Sequence, residues 1–225
     1  FVFGWSVKET LFETDNNADM ALLDFGYSQS KWVAEQVVFD AMKHGLHGRV
    51  FRPALITPSA RGGGDNLDIS IRLLAFMLNN QVGTTAQNQV SFSPADLAAD
   101  NIVAISQDAD SIDQTFHVTR DVYACMADIT QILSTLTDRP FENFSLEDFV
   151  PEVIERCRPG DILFPLLEFL VRSTDNITAM EFKRYDNAQF RQFRDRSHGG
   201  KPDLPLQDVV MGILRFMRRR GIVDA

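Results

Sequence analysis

The chain has 225 residues, of which 44% are hydrophobic and 24% charged, a composition that fits one or two ordinary globular domains with a sizeable core. Lys and Arg total 22 against 31 Asp and Glu, a formal net charge of −9, which excludes a general binder of nucleic acid or anionic membrane. Two cysteines, Cys125 and Cys157, exclude a multi-bridge framework and a four-cysteine zinc site, and are read as reduced thiols of a cytoplasmic protein.

No apolar run reaches the ~20 residues that span a bilayer; the most apolar stretch, residues 161–171, is short and contains Pro165 and Glu168. The first residues lack a basic n-region and a cleavage site. The chain opens on Phe1-Val2-Phe3-Gly4, an apolar, β-prone run that reads as a buried strand entered in mid-fold, so the expectation is a piece of something longer.

In chain order, residues 1–7 are predicted as a strand and residues 8–24 as an acidic surface loop. A helix is predicted from Tyr27 to about His44, with a buried stripe of Val33, Ala34, Val37, Val38, Ala41 and Met42, and with Gly45 as its C-terminal cap. A short strand over 49–52 leads into Pro53, and residues 58–66 form a loop. A second helix spans about 67–79, capped by Asp65 or Asn66. A small strand covers 89–92. Ser93-Pro94-Ala95-Asp96 reads as cap, first-position proline and first-turn acid of a helix that runs to about Ser106. Residues 115–119 form another strand. This alternation defines an α/β layered fold with a largely parallel sheet.

After Arg120 the pattern turns helical, over 124–136, 147–157, 161–171, 187–196 and 206–220, with Ser145 to Asp148 as a capping box. Phe141, Phe144, Phe149, Phe164, Phe169, Phe182, Phe190, Phe193 and Phe216 crowd this half, as core or as pocket lining. The run Arg215, Arg218, Arg219, Arg220 is a local basic patch, read as complementing a helix dipole. With four histidines and no paired metal-ligand spacing, no metal site is expected; His44 and His47 read as dipole or solvent groups and His117 as a core histidine. Asp175, Asn176, Glu181, Lys183, Arg184 and Tyr185 form a polar cluster that fits either a binding surface or a solvated one.

The chemistry concentrates at Tyr27-Ser28-Gln29-Ser30-Lys31. Tyr27 and Lys31 are four residues apart and share a helix face. A phenol is a poor acid or base near neutrality, and an adjacent ammonium favours its phenolate form. Such a pair can exchange a proton with a substrate oxygen while hydride moves at carbon. The alternative is a first-turn tyrosine packing on its own helix with the lysine in solvent.

Gly26-Tyr27-Ser28-Gln29-Ser30-Lys31-Trp32-Val33-Ala34-Glu35 resembles the GYxxSKWxxE element of thioester reductase domains, members of the extended short-chain dehydrogenase/reductase superfamily that end many non-ribosomal peptide and polyketide synthetases and carboxylic acid reductases. Phe51 to Thr57 is similar to the family's RPxxIxG-like strand, Ser93 to Ala98 to its VPVDxVA helix start, and Phe116 to Thr119 to its FHLxN strand. Phe149 to Pro151, Leu163 to Leu166 and Met180 to Tyr185 resemble its helical substrate lobe.

The resemblance implies the C-terminal part of a Rossmann-like doubly wound sheet over 1–120, with 58–92 contributing to a mainly helical substrate and carrier lobe over 121–225. It implies NADPH as cofactor, and a phosphopantetheinylated carrier protein domain as partner, from which an acyl or peptidyl thioester is released as aldehyde or alcohol. Tyr27 would donate the proton, Lys31 would hold the nicotinamide ribose, and Pro53-Ala54 would line the nicotinamide.

Two departures qualify it. The family's GxxGxxG phosphate loop has no counterpart; Arg61-Gly62-Gly63-Gly64-Asp65 has the wrong spacing and reads as a loop. The family's catalytic Thr falls on Gly4; Ser6 is on the same strand face but about 7 Å along it, at ~3.3 Å per residue. Other readings are a nucleotide-sugar epimerase or dehydratase, and a non-catalytic module that docks a carrier.

Overall fold

The computed structural model describes residues 8–15, 19–23, 26–172 and 184–223. The expected strand over 1–7, with Gly4 and Ser6, lies outside the described residues, as do Asp175, Asn176, Glu181, Phe182 and Lys183. The first elements are β1 (Thr10–Leu11), α1 (Gly26–Lys43), β2 (Val50–Pro53), β3 (Leu55–Thr57), α2 (Ile69–Asn80) and β4 (Val82–Thr84). Then follow β5 (Gln89–Val90), β6 (Phe92–Pro94), α3 (Ala95–Ser106), β7 (Thr115–Val118), β8 (Ala124–Cys125) and α4 (Met126–Thr137). The last are β9 (Glu142–Phe144), α5 (Leu146–Arg156), β10 (Arg184–Tyr185), α6 (Ala188–Arg196) and α7 (Leu206–Arg219).

The chain divides into two compact units, one built from 1–54, 99–121 and 183–202, the other from 55–98, 122–182 and 203–225. In the first unit β2 and β7 pair in parallel, with Val50 opposite Thr115, Arg52 opposite His117 and Pro53 opposite Val118. β1 pairs in parallel with β10. The apolar centre is aromatic: Phe116 is fully buried, stacks on Phe51 at 5.2 Å and meets Phe193 edge-on at 5.2 Å. In the second unit, α2, α4 and α7 bury Leu74, Phe76, Ile129, Leu133, Ile213 and Phe216 in one cluster. β3 and β6, and β4 and β9, pair in parallel, and β5 pairs antiparallel with β8. The expected α/β fold with largely parallel pairing is what forms.

Local chemistry explains the element ends. Gly45, at φ 96°, closes α1: its N–H donates to the Met42 carbonyl and the Leu46 N–H to that of Ala41, the paired bonds of a glycine-terminated helix. Ser145 caps α5 as expected, its oxygen accepting from the Asp148 N–H.

Four local expectations are corrected. The cap of α2 is Asp68, not Asp65 or Asn66; its carboxylate accepts from the Ile71 N–H at 3.0 Å, and Leu67 packs on the core from outside the helix. Pro94 ends β6 opposite Thr57 rather than starting a helix, and α3 begins at Ala95. The valines of α1 are not its buried face: Val33 is 48% and Val37 64% exposed, while Ser28 and Glu35 are buried. Glu35 is drawn inward by a charge partner on β2, and that pairing sets which side of the helix faces the unit. Phe164 is exposed, and Phe190 and Phe193 belong to the first unit rather than to a helical lobe.

Candidate active site

α1 carries the tyrosine and lysine in its first turn and a half. The Lys31 ammonium lies 5.4 Å from the centre of the Tyr27 ring, so the two side chains meet on one helix face as their spacing requires. Tyr27 is 60% exposed and Lys31 is exposed. Ser30 donates to the Tyr27 carbonyl at 2.7 Å, and Gln29 donates to the Leu23 carbonyl at 3.0 Å, tying the helix start to the segment before it. Pro53 and Ala54 lie at the end of β2, where the Ala54 N–H donates to the Val118 carbonyl at 3.2 Å. Pro53 has no N–H and is exposed.

The polar groups that support this pair are buried. Glu35 is one helical repeat beyond Lys31 on the Tyr27–Lys31 face. It forms an ion pair with Arg52 of β2; their side chains are only 8% and 7% exposed, and the Arg52 Nε donates to Glu35 Oε1 at 3.0 Å. Arg52 also donates to the Asp15 carbonyl at 3.2 Å and approaches His117 Nε2 at 3.4 Å. His117 Nδ1 donates to the Asp186 carbonyl at 2.8 Å, which leaves Nε2 unprotonated toward Arg52. Burial, reinforced by the Arg52 charge, lowers the His117 pKa to about 4, so the imidazole is neutral at physiological pH.

Glu13 is the second buried acid. Its Oε1 accepts from the N–H groups of His117 at 2.9 Å and Phe190 at 3.0 Å, and its Oε2 from that of Gln189 at 2.7 Å. It thus serves the open N–H groups at the start of α6. Burial pushes its carboxyl up to about 7, against the pull of those three donors. Further along, the Asn187 amide donates to the Thr119 and Arg120 carbonyls, and buried Arg194 grips Asp121 through two bonds of 2.9 and 3.0 Å, fixing the segment after β7.

Sequence reasoning named Tyr27, Lys31, Pro53 and Ala54, and the structure puts all four on the first unit. It missed Glu35, Arg52, Glu13, Asn187 and Arg194. The i+4 step from Lys31 to Glu35 was a readable signal; the others join positions far apart in the chain. His44 Nδ1 meets the Asp40 carbonyl at 2.8 Å and His47 Nδ1 the Asp113 carboxylate at 3.1 Å. Among the described residues no group of three or more His, Cys, Asp or Glu is placed to hold a metal ion, Cys125 and Cys157 are free thiols, and no helix is long and apolar enough to cross a membrane.

Across its full length the chain superposes on the terminal R domain of the myxalamid PKS-NRPS pathway, with a TM-score of 0.88 at 21% identity, spanning 57% of that chain. It also superposes on a Bacillus cereus UDP-glucuronic acid 4-epimerase, with a TM-score of 0.64 at 9% identity and 58% of that chain. The fold is therefore the Rossmann-like one that terminal reductase domains share with sugar-nucleotide epimerases. A family model described as "Male sterility protein" matches residues 4–102. The chain is 31% identical to the L-2-aminoadipate reductase large subunit of Candida glabrata over 77% of its length, and 29% identical to the nonribosomal peptide synthetase cpsA of Aspergillus campestris over 68%. It spans 13% and 15% of those two proteins. Residues 4–102 thus match the male sterility family, and the similarity to the aminoadipate reductase and peptide synthetase relatives runs over most of the chain.

Proposed function

We propose that the chain is the C-terminal part of a terminal reductase domain that uses NADPH to release a carrier-bound acyl or peptidyl thioester as an aldehyde or alcohol. The observation that carries this reading is the exposed Tyr27–Lys31 pair on one face of α1, with Lys31 5.4 Å from the phenol ring, in a chain that matches this family over residues 4–102.

The residues present suit a nicotinamide nucleotide: the Lys31 ammonium and the Tyr27 ring stand side by side on exposed residues, and β2 ends in an exposed proline that has no N–H to satisfy. The cofactor would supply the hydride. Lys31 would hold the ribose hydroxyls, and Pro53 and Ala54 would line the ring. Tyr27 would give its hydroxyl proton to the substrate oxygen as negative charge develops there, with the Lys31 charge stabilising the phenolate left behind. Ser6 is the candidate for a second hydroxyl toward that oxygen. The acyl or peptidyl group would arrive on a phosphopantetheine arm of a carrier domain in the cytoplasm; the synthetase and reductase relatives support this partner.

The test is product analysis. The chain, and the same chain extended upstream in its own reading frame, would be incubated with octanoyl-pantetheine and NADPH deuterated at the transferable position. Deuterated octanal or octanol is the expected product. Octanoate alone, or unchanged thioester from the extended chain, would rule the proposal out.

A further inference from the structure

Five arginines gather at one end of the second unit, and the helix dipole does not account for them. Arg218, Arg219 and Arg220 close α7, where positive charge complements the helix end. Arg215 lies a turn earlier, beyond the reach of that effect, and Arg61 comes from a loop more than 150 positions away in sequence. The packing fixes their proximity. Gly62, at φ 81°, sits so close to α7 that a Cβ there would stand 2.9 Å from the Arg215 Cβ and 3.0 Å from the Phe216 nitrogen. Gly212 lies against the Ser59 and Ala60 carbonyls in the same way, at 3.0 and 2.9 Å from its own Cβ position. The loop is closed on itself: the Ser59 N–H donates to the Gly63 carbonyl at 2.8 Å, and the Gly63 N–H donates to the Ser59 hydroxyl oxygen at 2.7 Å.

Arg215, Arg218 and Arg219 are spaced i, i+3, i+4 and share an exposed face of α7 beside that loop. Arg220 pairs with Asp65 at 3.2 Å. Among the described residues the guanidinium groups of Arg61, Arg215, Arg218 and Arg219 make no hydrogen bond or ion pair. The loop's residues Gly63, Gly64 and Asp65 also wall a cleft of about 140 Å³ with Thr57, Pro58 and Asp68.

In a chain of net charge −9, four guanidiniums without an acidic partner among the described residues are a local inversion of the protein's own field. An acidic protein would be repelled by the rest of the surface and oriented onto this one place. We propose that Arg61, Arg215, Arg218 and Arg219 form the docking surface for an acidic carrier domain. This inference rests on the proposed function for the identity of the partner and names where that partner binds.

The experiment measures binding and turnover separately. The partner probe is an acidic carrier domain of a non-ribosomal peptide synthetase, phosphopantetheinylated and octanoylated. Its affinity for the 225-residue chain would be titrated at low and high salt. The doubly reversed variant Arg215→Glu/Arg219→Glu should weaken binding at least about tenfold and flatten the salt dependence, and Arg61→Glu alone should cost about threefold. All these positions are exposed, and an unchanged melting transition shows that the variants fold. Turnover of octanoyl-pantetheine by the upstream-extended chain, which needs no carrier, should be the same in all variants. Unchanged carrier affinity in the reversed variants would overturn the proposal. So would heparin binding as tightly and being lost in parallel, which would mark a surface for polyanions in general. Arginine-dependent carrier binding without any pantetheine turnover would support the docking surface and sink the reductase reading.

Discussion

Breaking the Glu35–Arg52 pair with Glu35→Ala should be among the costliest single changes to α1. The pair is desolvated, with side chains 8% and 7% exposed, so truncating the acid takes the carboxylate from a buried guanidinium. Among the described residues it keeps the Asp15 carbonyl at 3.2 Å, the neutral His117 Nε2 at 3.4 Å and the Phe39 ring at 6.0 Å, none of which carries a full negative charge. Removing one member of a buried ion pair costs about 3–5 kcal/mol, whereas replacing both members by apolar residues of similar volume is often near neutral. Because Arg52 still reaches two acceptors, the lower end, about 3 kcal/mol, is expected. Urea unfolding of Glu35→Ala gives this loss directly, and that of Glu35→Met, Arg52→Met and Glu35→Met/Arg52→Met closes a double-mutant cycle. The double variant should be at least about 2 kcal/mol more stable than Glu35→Ala. A loss below about 1 kcal/mol for Glu35→Ala, or a strictly additive cycle, would show that the pair does not hold α1 against β2.

The pH profile of stability offers a second check. The Glu13 pKa rises from 4.5 to about 7 on folding, so its contribution is present below pH 4.5 and is lost as pH climbs to 7. The His117 pKa falls from 6.5 to about 4, so its contribution is present above pH 6.5 and is lost as pH drops to 4. Each amounts to about 3 kcal/mol and the two oppose each other, so stability should be nearly level between pH 4.5 and 6.5. Glu13→Gln should make it rise with pH over that window and His117→Asn should make it fall; equilibrium denaturation at stepped pH reads both, and identical slopes in the two variants would contradict the assignment. Gly62→Ala forces a Cβ to within 2.9 Å of the Arg215 Cβ at a positive φ, and should cost about 2 kcal/mol by thermal or urea melting. Ser145→Ala removes the acceptor for the Asp148 N–H, and should cost about 1 kcal/mol in the same assay.

The long amphipathic segments were legible because each repeats its apolar pattern often enough to fix a period. α4, α5, α6 and α7 fall within a few residues of their expected spans. β1, β4, β9 and β10, of two or three residues each, are too short to show a strand period, and only pairing partners elsewhere in the chain define them. The face of α1 was misread because hydrophobicity was weighed without charge pairing: a valine stripe lost to one glutamate with a partner on β2. Tyr27 and Lys31 were legible as a pair because a spacing of four residues along a helix is local. Glu13 was not, because its donors lie 104 to 177 positions away. The return of residues 184–202 to the first unit rests on such contacts as well, through Glu13, Asn187 and Arg194.

The most direct test of the central claim is NADPH oxidation with a carrier-bound octanoyl thioester, by the chain extended upstream in its reading frame and by its Tyr27→Phe variant. Loss of the Tyr27 hydroxyl should lower turnover by at least about a hundredfold, the scale expected when a positioned proton donor is removed, with the melting transition unchanged. Equal turnover in the two proteins would remove Tyr27 from the chemistry, and with it the assignment of the α1 face as the reducing site.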